Sequence, residues 1–106
     1  MNSPRLEQLK ALLAEDPNDA FLCYGIAMEY AKLGQRTTAI EQVKQLLIAQ
    51  PDYLGAYYQL GKWLEEEQQT EEAILVYKKG MELAKQQQKR KTENELREAL
   101  QQLEDW

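Results

Sequence analysis

Apolar residues recur at intervals of three and four along almost the whole chain, which is the spacing of one face of an α-helix. Near the amino terminus, one such stripe consists of Leu6, Leu9, Leu12 and Leu13. No long run alternates between apolar and polar residues as a strand would. Ala, Leu, Glu, Gln and Lys, which favour helices, are abundant. The pattern therefore predicts an all-α fold.

Prolines, glycines and capping residues divide this pattern into separate helices. The first begins after Ser3, a good N-cap residue, with Pro4 in its first turn, and it ends before Pro17. Gly34 is expected to end the second helix in a left-handed conformation. The later helices are predicted over about residues 19–33, 37–49, 52–67, 70–85 and 92–106.

The polar segment 86–91 separates the last two predicted helices. It contains no apolar residue, so it is either an exposed extension of the fifth helix or a connection. Thr92 and Glu95 have the spacing of a capping box, in which each side chain bonds the free backbone N–H of the other. This pair predicts that the last helix begins at about residue 92.

The chain repeats itself with a period of 34 residues. The matched pairs include Pro17 and Pro51, Tyr24 and Tyr58, Ala27 and Gly61, Ala39 and Ala73, and Ile40 and Ile74. A fixed period of this length across pairs of helices indicates a solenoid, in which each pair packs on the next. Ala27, Ala39, Gly61 and Ala73 are expected where paired helices approach most closely.

This register resembles the tetratricopeptide repeat family, whose repeat has small, large and aromatic residues at set positions. The second repeat matches through Tyr57, Leu60, Gly61, Leu64, Ala73 and Tyr77, and the first through Cys23, Ile26, Ala27, Tyr30, Ala39, Val43 and Pro51. The resemblance implies an α-α superhelix of about two and a half helical hairpins in one domain, residues 1–106. Its parts are a half-repeat at 3–15, repeats at 19–50 and 52–86, and a C-terminal capping helix at 92–106.

In this family the first helix of each pair lines the concave surface, which implies a groove on those helices. Phe21, Tyr24 and Met28 form a second apolar stripe in the first repeat, and Tyr58 and Lys62 lie on the matching face of the second. Aromatic anchors and a methionine suit an apolar peptide or helix, and Lys62 could hold a carboxylate. Alternatively, the amino-terminal helix covers part of this face, or these residues pack in the core.

Charge and composition exclude several other functions. The net charge is −5, so the chain lacks the basic stripe that binds nucleic acid or anionic membranes. With no histidine and a single cysteine, Cys23, it lacks the usual general base and the usual zinc ligands. The sequence therefore predicts no catalytic residues, no metal site, no cofactor and no enzymatic activity. The acidic run from Glu65 to Glu72 is expected to be a solvated surface, and Cys23 is expected to be buried.

These observations predict a cytoplasmic interaction module or adaptor that binds a peptide or helix of another protein in its groove. Some members of the family bind acidic chaperone tails through Lys, Asn and Arg side chains. Tyr24 and Met28 stand where that clamp needs Lys and Asn, so an apolar ligand is expected instead. The alternative is a self-associating structural protein, such as a homodimer, because two and a half repeats are near the minimum for a stable stack. Trp106 is predicted either to pack on the last helix or to dock into a neighbouring molecule.

Overall fold

The computed structural model of the protein describes residues 3–104, and every regular element in that range is an α-helix. The helices are α1 (Pro4–Glu15), α2 (Ala20–Lys32), α3 (Arg36–Ala49), α4 (Gly55–Glu66), α5 (Thr70–Gln86) and α6 (Arg90–Glu104). This confirms the all-α prediction. Within the described range, no helix has the length and apolar character needed to cross a membrane. Trp106, for which two roles are predicted, lies outside the described residues.

The chain divides into two compact units, Met1–Pro51 and Asp52–Trp106. In the first unit, α2 packs against both α1 and α3. Leu6, Leu9 and Ile26 are the buried centre of the α1–α2 contact. Ala27, Ala39 and Val43 are fully buried, as expected for residues at a close helix contact.

A buried carboxylate also connects α1 to α2 in the first unit. The Ser3 hydroxyl accepts a hydrogen bond from the Leu6 N–H (3.3 Å) and donates one to Glu29 Oε1 (3.2 Å). The other Glu29 oxygen lies 3.6 Å from Arg5 Nε and 3.5 Å from Lys32 Nζ. Glu29 is only 6% exposed, and these partners compensate its charge. The N-cap of α1 is therefore part of its contact with α2.

In the second unit, α5 packs against both α4 and α6. Two glycines allow the close approach. A Cβ on Gly80 would lie 2.7 Å from Tyr57 Cβ and 3.2 Å from Leu96 Cδ1, and a Cβ on Gly61 would overlap the Tyr77 ring. Gly61 and Ala73 are buried, which confirms the predicted close contact between α4 and α5. Gly80 also allows neighbouring helices to approach closely, but the 34-residue repeat does not predict a small residue at this position.

Three of the connections have the same hydrogen-bonded turn with one residue at positive φ: Gly34 (80°), Gln68 (62°) and Gln88 (58°). In each, the N–H of the following residue donates to a carbonyl five residues earlier, as in Gln35 to Tyr30 (2.9 Å) and Lys89 to Ala84 (2.9 Å). This bond satisfies carbonyls at the end of the preceding helix. Gly34 therefore ends its helix as predicted.

The same turn decides between the two alternatives for residues 86–91. The fifth helix ends at Gln86, and a short turn through Gln88 leads to α6, which begins at Arg90. The predicted capping box was wrong, because Thr92 lies inside the first turn rather than at the N-cap. The N–H of Glu93 donates to the Lys89 carbonyl (2.9 Å), which makes Lys89 the cap residue.

Helix α4 begins at Gly55, about three residues later than predicted. Residues 51–54 form turns instead. The N–H groups of Ala56 and Tyr57 donate to carbonyls only three residues earlier, at Tyr53 (3.3 Å) and Leu54 (3.1 Å). The chain therefore enters α4 through a tight turn after Pro51.

Candidate functional site

The apolar stripe predicted on the first repeat lies on one face of α2. This helix begins after Asp19, whose side chain accepts a hydrogen bond from the Leu22 N–H (3.0 Å) and caps it. Phe21 is 72% exposed, so it does not pack in the core. Tyr24 and Met28 are half-buried on the same face. We refer to Phe21, Tyr24 and Met28 as the α2 face.

Helix α1 packs against α2 beside Gly25, Glu29 and Tyr30. Leu9 lies opposite Gly25, where a Cβ would be 3.6 Å from Leu9 Cδ1. Lys10 Nζ lies 5.6 Å from the centre of the Tyr30 ring. Phe21 lies one turn before Gly25, yet its ring remains 72% exposed, so α1 does not cover it.

The matching residues of the second repeat, Tyr58 and Lys62, lie one turn apart on α4. Tyr58 is 37% exposed, and its ring centre is 6.2 Å from that of the buried Tyr77. Lys62 Nζ lies 5.5 Å from the centre of the Tyr58 ring and 4.0 Å from a Glu65 carboxylate oxygen. Both contacts stabilise the lysine charge. Lys62 is therefore already engaged within its own unit.

Glu65 belongs to the run that was predicted to be solvated, but its side chain is half-buried and contacts a core residue. It accepts a hydrogen bond from the hydroxyl of Tyr77, a side chain with no exposed surface. Burial raises the pKa of the Tyr77 phenol above its usual value, and the hydrogen bond to Glu65 and the Glu65 charge raise it further. Tyr77 thus stays protonated and holds Glu65 beside Lys62.

A cavity of about 220 Å³ opens beside these residues in the second unit. We call it the α4–α6 groove; it is lined by Tyr58, Lys62, Glu95, Glu98, Ala99 and Gln102. The last four residues belong to α6, which the sequence predicts only as a cap. Their spacing of three, four and seven residues indicates a shared helix face, but the sequence does not show that α4 lies opposite it.

The first unit contains a smaller cavity of about 130 Å³ beside Cys23. Cys23 is a free thiol and is half-buried rather than fully buried as expected. Burial raises the pKa of the thiol, and the nearby Asp19 charge raises it further, so the reactive thiolate is disfavoured. Among residues 3–104, no group of three or more His, Cys, Asp or Glu side chains is arranged to hold a metal ion.

Comparisons with known proteins agree with the repeat register. Residues 54–87 match the family model described as tetratricopeptide repeat. The solution structure of a tetratricopeptide repeat domain protein from Salinibacter ruber is 35% identical, with a TM-score of 0.80. The alignment covers 84% of this chain and 90% of that chain. This chain belongs to the tetratricopeptide repeat family.

Two further solved structures are similar to this tetratricopeptide repeat protein. A crystal structure of a tetratricopeptide repeat domain protein from Salinibacter ruber is 34% identical, with a TM-score of 0.77, and the alignment covers 82% of this chain and 97% of that one. A protein from Bordetella parapertussis is 25% identical, with a TM-score of 0.81, over 99% of this chain and 90% of that one. No curated protein matches the chain significantly.

Membership of this family defines the general type of function. The tetratricopeptide repeat fold is a general protein–protein interaction module, and members of the family are typically scaffolds rather than enzymes. The α2 face lies on the first helix of the first repeat, and Tyr58 and Lys62 of the α4–α6 groove lie on the first helix of the second. The sequence predicted that these two helices bind a partner.

Proposed function

We propose that the protein is an adaptor that binds a peptide or helix of another protein through the exposed faces of α2 and α4. The observation that carries this proposal is the Phe21 ring, which is 72% exposed on a helix whose other sides pack against α1 and α3. Large exposed aromatic rings are common anchors at protein interfaces. Phe21, Tyr24 and Met28 would contact apolar side chains, and Tyr58 and Lys62 would contact the ligand in the α4–α6 groove.

Capture of partners by the immobilised full chain tests this proposal. Tyr24→Ala and Tyr58→Ala each change one of the two faces. Ile48→Ala and Leu75→Ala are matched controls, because these exposed apolar residues lie on the second helix of each repeat (74% and 67% exposed). Circular dichroism establishes that all four variants keep the helicity of the wild type.

The two tyrosine variants should lose the captured partner, whereas the two control variants should retain it. Retention by both tyrosine variants would contradict the assignment of these faces. Equal loss in the control variants would show that capture depends on nonspecific apolar contact.

Self-association is the second candidate function. It is supported by the exposure of Phe21 and Ile48 in the first unit and of Leu75 in the second. Covering these side chains with another copy would remove apolar surface from water. Light scattering at micromolar protein tests this candidate. A mass equal to one chain at every concentration would remove it.

The proposal also includes a cytoplasmic location and the absence of catalysis and of a cofactor. It is supported by the lack of histidine in the sequence and by the single cysteine, which cannot form an intrachain disulfide. Fractionation of the source cell tests the location. A turnover activity abolished by substituting one of the groove carboxylates would contradict the proposed non-catalytic role.

A further inference from the structure

We infer that the α4–α6 groove selects an arginine or lysine side chain from a basic segment of the partner protein. This inference rests on the proposed function and specifies the chemistry of the ligand that the second unit binds. It differs from the sequence prediction, which expected an apolar ligand and assigned a carboxylate of that ligand to Lys62.

The uncompensated charge in the groove is negative. Glu95 and Glu98 are both exposed and line the cavity from α6. In residues 3–104, no salt bridge within 4.0 Å engages either of them. Glu93 is on the same helix but does not line the groove, and it differs from them because Arg97 Nη2 lies 2.7 Å from its carboxylate. The two groove carboxylates therefore remain available to a cation from the ligand.

Among residues 3–104, Lys62 is the only cation that lines the groove, and it is already paired. Its Nζ lies 4.0 Å from Glu65 and faces the Tyr58 ring. Glu65 is itself fixed by the Tyr77 hydroxyl, so this lysine is part of a preformed network. A ligand carboxylate would have to compete with Glu65 for Lys62 and would also lie close to Glu95 and Glu98. The arrangement thus disfavours an acidic ligand.

The size of the groove and the charge around it support the same choice. A volume of about 220 Å³ is below the roughly 300 Å³ at which small-molecule sites begin, and it suits the insertion of a single side chain. Residues 52–106 carry twelve acidic and eight basic groups, compared with six and five in residues 1–51, so the local field attracts cations.

Selection from a random peptide library displayed on phage tests the inference with the full chain as bait. We expect enrichment of peptides that contain arginine or lysine. A selected peptide is then synthesised with a fluorescent label, and its Kd is measured by fluorescence anisotropy with wild type and variants. Glu95→Gln with Glu98→Gln should weaken binding about five- to tenfold, the effect of two partly exposed ion pairs.

Two further variants complete the test: one should change the Kd in the opposite direction, and the other is a control for net charge. Lys62→Gln should strengthen binding of the basic peptide about two- to threefold, because it removes a like charge and releases Glu65. Weaker binding by this variant would show that the ligand offers a carboxylate to Lys62 and would overturn the inference. Glu41→Gln with Glu82→Gln changes the net charge equally at exposed positions outside the groove and should leave the Kd unchanged.

The possible failures are distinguishable. Selected peptides without basic residues, or an unchanged Kd for the Glu95 and Glu98 double variant, would overturn this inference while the proposed function stands. An equal loss in the Glu41 and Glu82 control would also overturn it, because the effect would then depend on net charge alone. If the wild type selected no peptide at all, the proposed function would fail together with the inference.

Discussion

The ring of Tyr77 lies where a side chain at Gly61 would have to be. An ideal Cβ on Gly61 would be 2.6 Å from Tyr77 Cζ and 2.7 Å from Cδ1. The residues 34 positions earlier are Ala27 and Val43, and both are fully buried. The two repeats therefore fill corresponding positions differently: a smaller residue on the first helix accompanies a larger residue on the second.

We expect Gly61→Ala to lower the free energy of unfolding by about 1–3 kcal/mol, because the added methyl overpacks the contact between α4 and α5. Urea unfolding followed by circular dichroism measures the effect. Gly25→Ala is the matched control. Its Cβ would meet only Leu9, at 3.6 and 3.7 Å, so the higher helix propensity of alanine should stabilise α2 by about 0.5–1 kcal/mol. A loss of similar size in both variants would contradict this account.

Tyr77→Phe should lower the free energy of unfolding at neutral pH by about 0.5–1.5 kcal/mol, because it removes the hydrogen bond to Glu65.

The wild type should also lose stability above about pH 10. Burial and Glu65 raise the folded-state pKa of this phenol above its usual value of 10.0, so the unfolded chain ionises first as the pH rises. The contribution of protonated Tyr77 to the free energy of unfolding is therefore complete below pH 10.0 and decreases as the pH rises above that value.

Urea unfolding at a series of alkaline pH values compares the two proteins. The decline with pH should be shallower in Tyr77→Phe, because this variant has no phenol at residue 77. Equal slopes in the two proteins would show that Tyr77 is not protected from ionisation in the folded state.

Gln68→Gly should stabilise the second unit by about 0.5–1 kcal/mol, because Gln68 adopts a φ of 62° that glycine tolerates better. Gly34→Ala is the reciprocal control. It places a Cβ at a φ of 80° in the corresponding turn of the first unit and should destabilise by about 1 kcal/mol. Thermal unfolding of the two variants should therefore shift in opposite directions. A shift in the same direction would contradict the role of these turns.

Glu29→Ala should loosen α1, because it removes the contacts of Ser3, Arg5 and Lys32 with a buried carboxylate. Hydrogen exchange of the Leu6 and Leu9 amides should become faster, by an amount equivalent to about 1 kcal/mol of local stability. Glu15→Ala is the control, since Glu15 is exposed at the end of the same helix. Equal acceleration in the two variants would show that Glu29 does not hold α1.

Much of the candidate surface is predictable from the repeat register. The register assigns Phe21 and Tyr58 to the first helices of successive repeats, and the structure leaves both rings exposed to different degrees. Whether these residues bind a partner remains a prediction. The register does not identify Glu95 and Glu98, because they lie on a helix that departs from the repeat. The spacing of Thr92 and Glu95 predicted a capping box for Glu95, whereas the structure places this residue in the lining of the groove.

By itself, the sequence determined the helical fold, the 34-residue repeat, most helix ends and the small residues Ala27, Ala39, Gly61 and Ala73 at helix contacts. These features follow from local propensity and from a periodicity that every repeat must keep in order to pack. Only the tertiary structure decided that Glu29 is buried, that Glu65 and Tyr58 engage Lys62, and that α6 forms a wall of the groove. Those features depend on which side chains are brought together from different helices, and spacing along one helix does not contain that information.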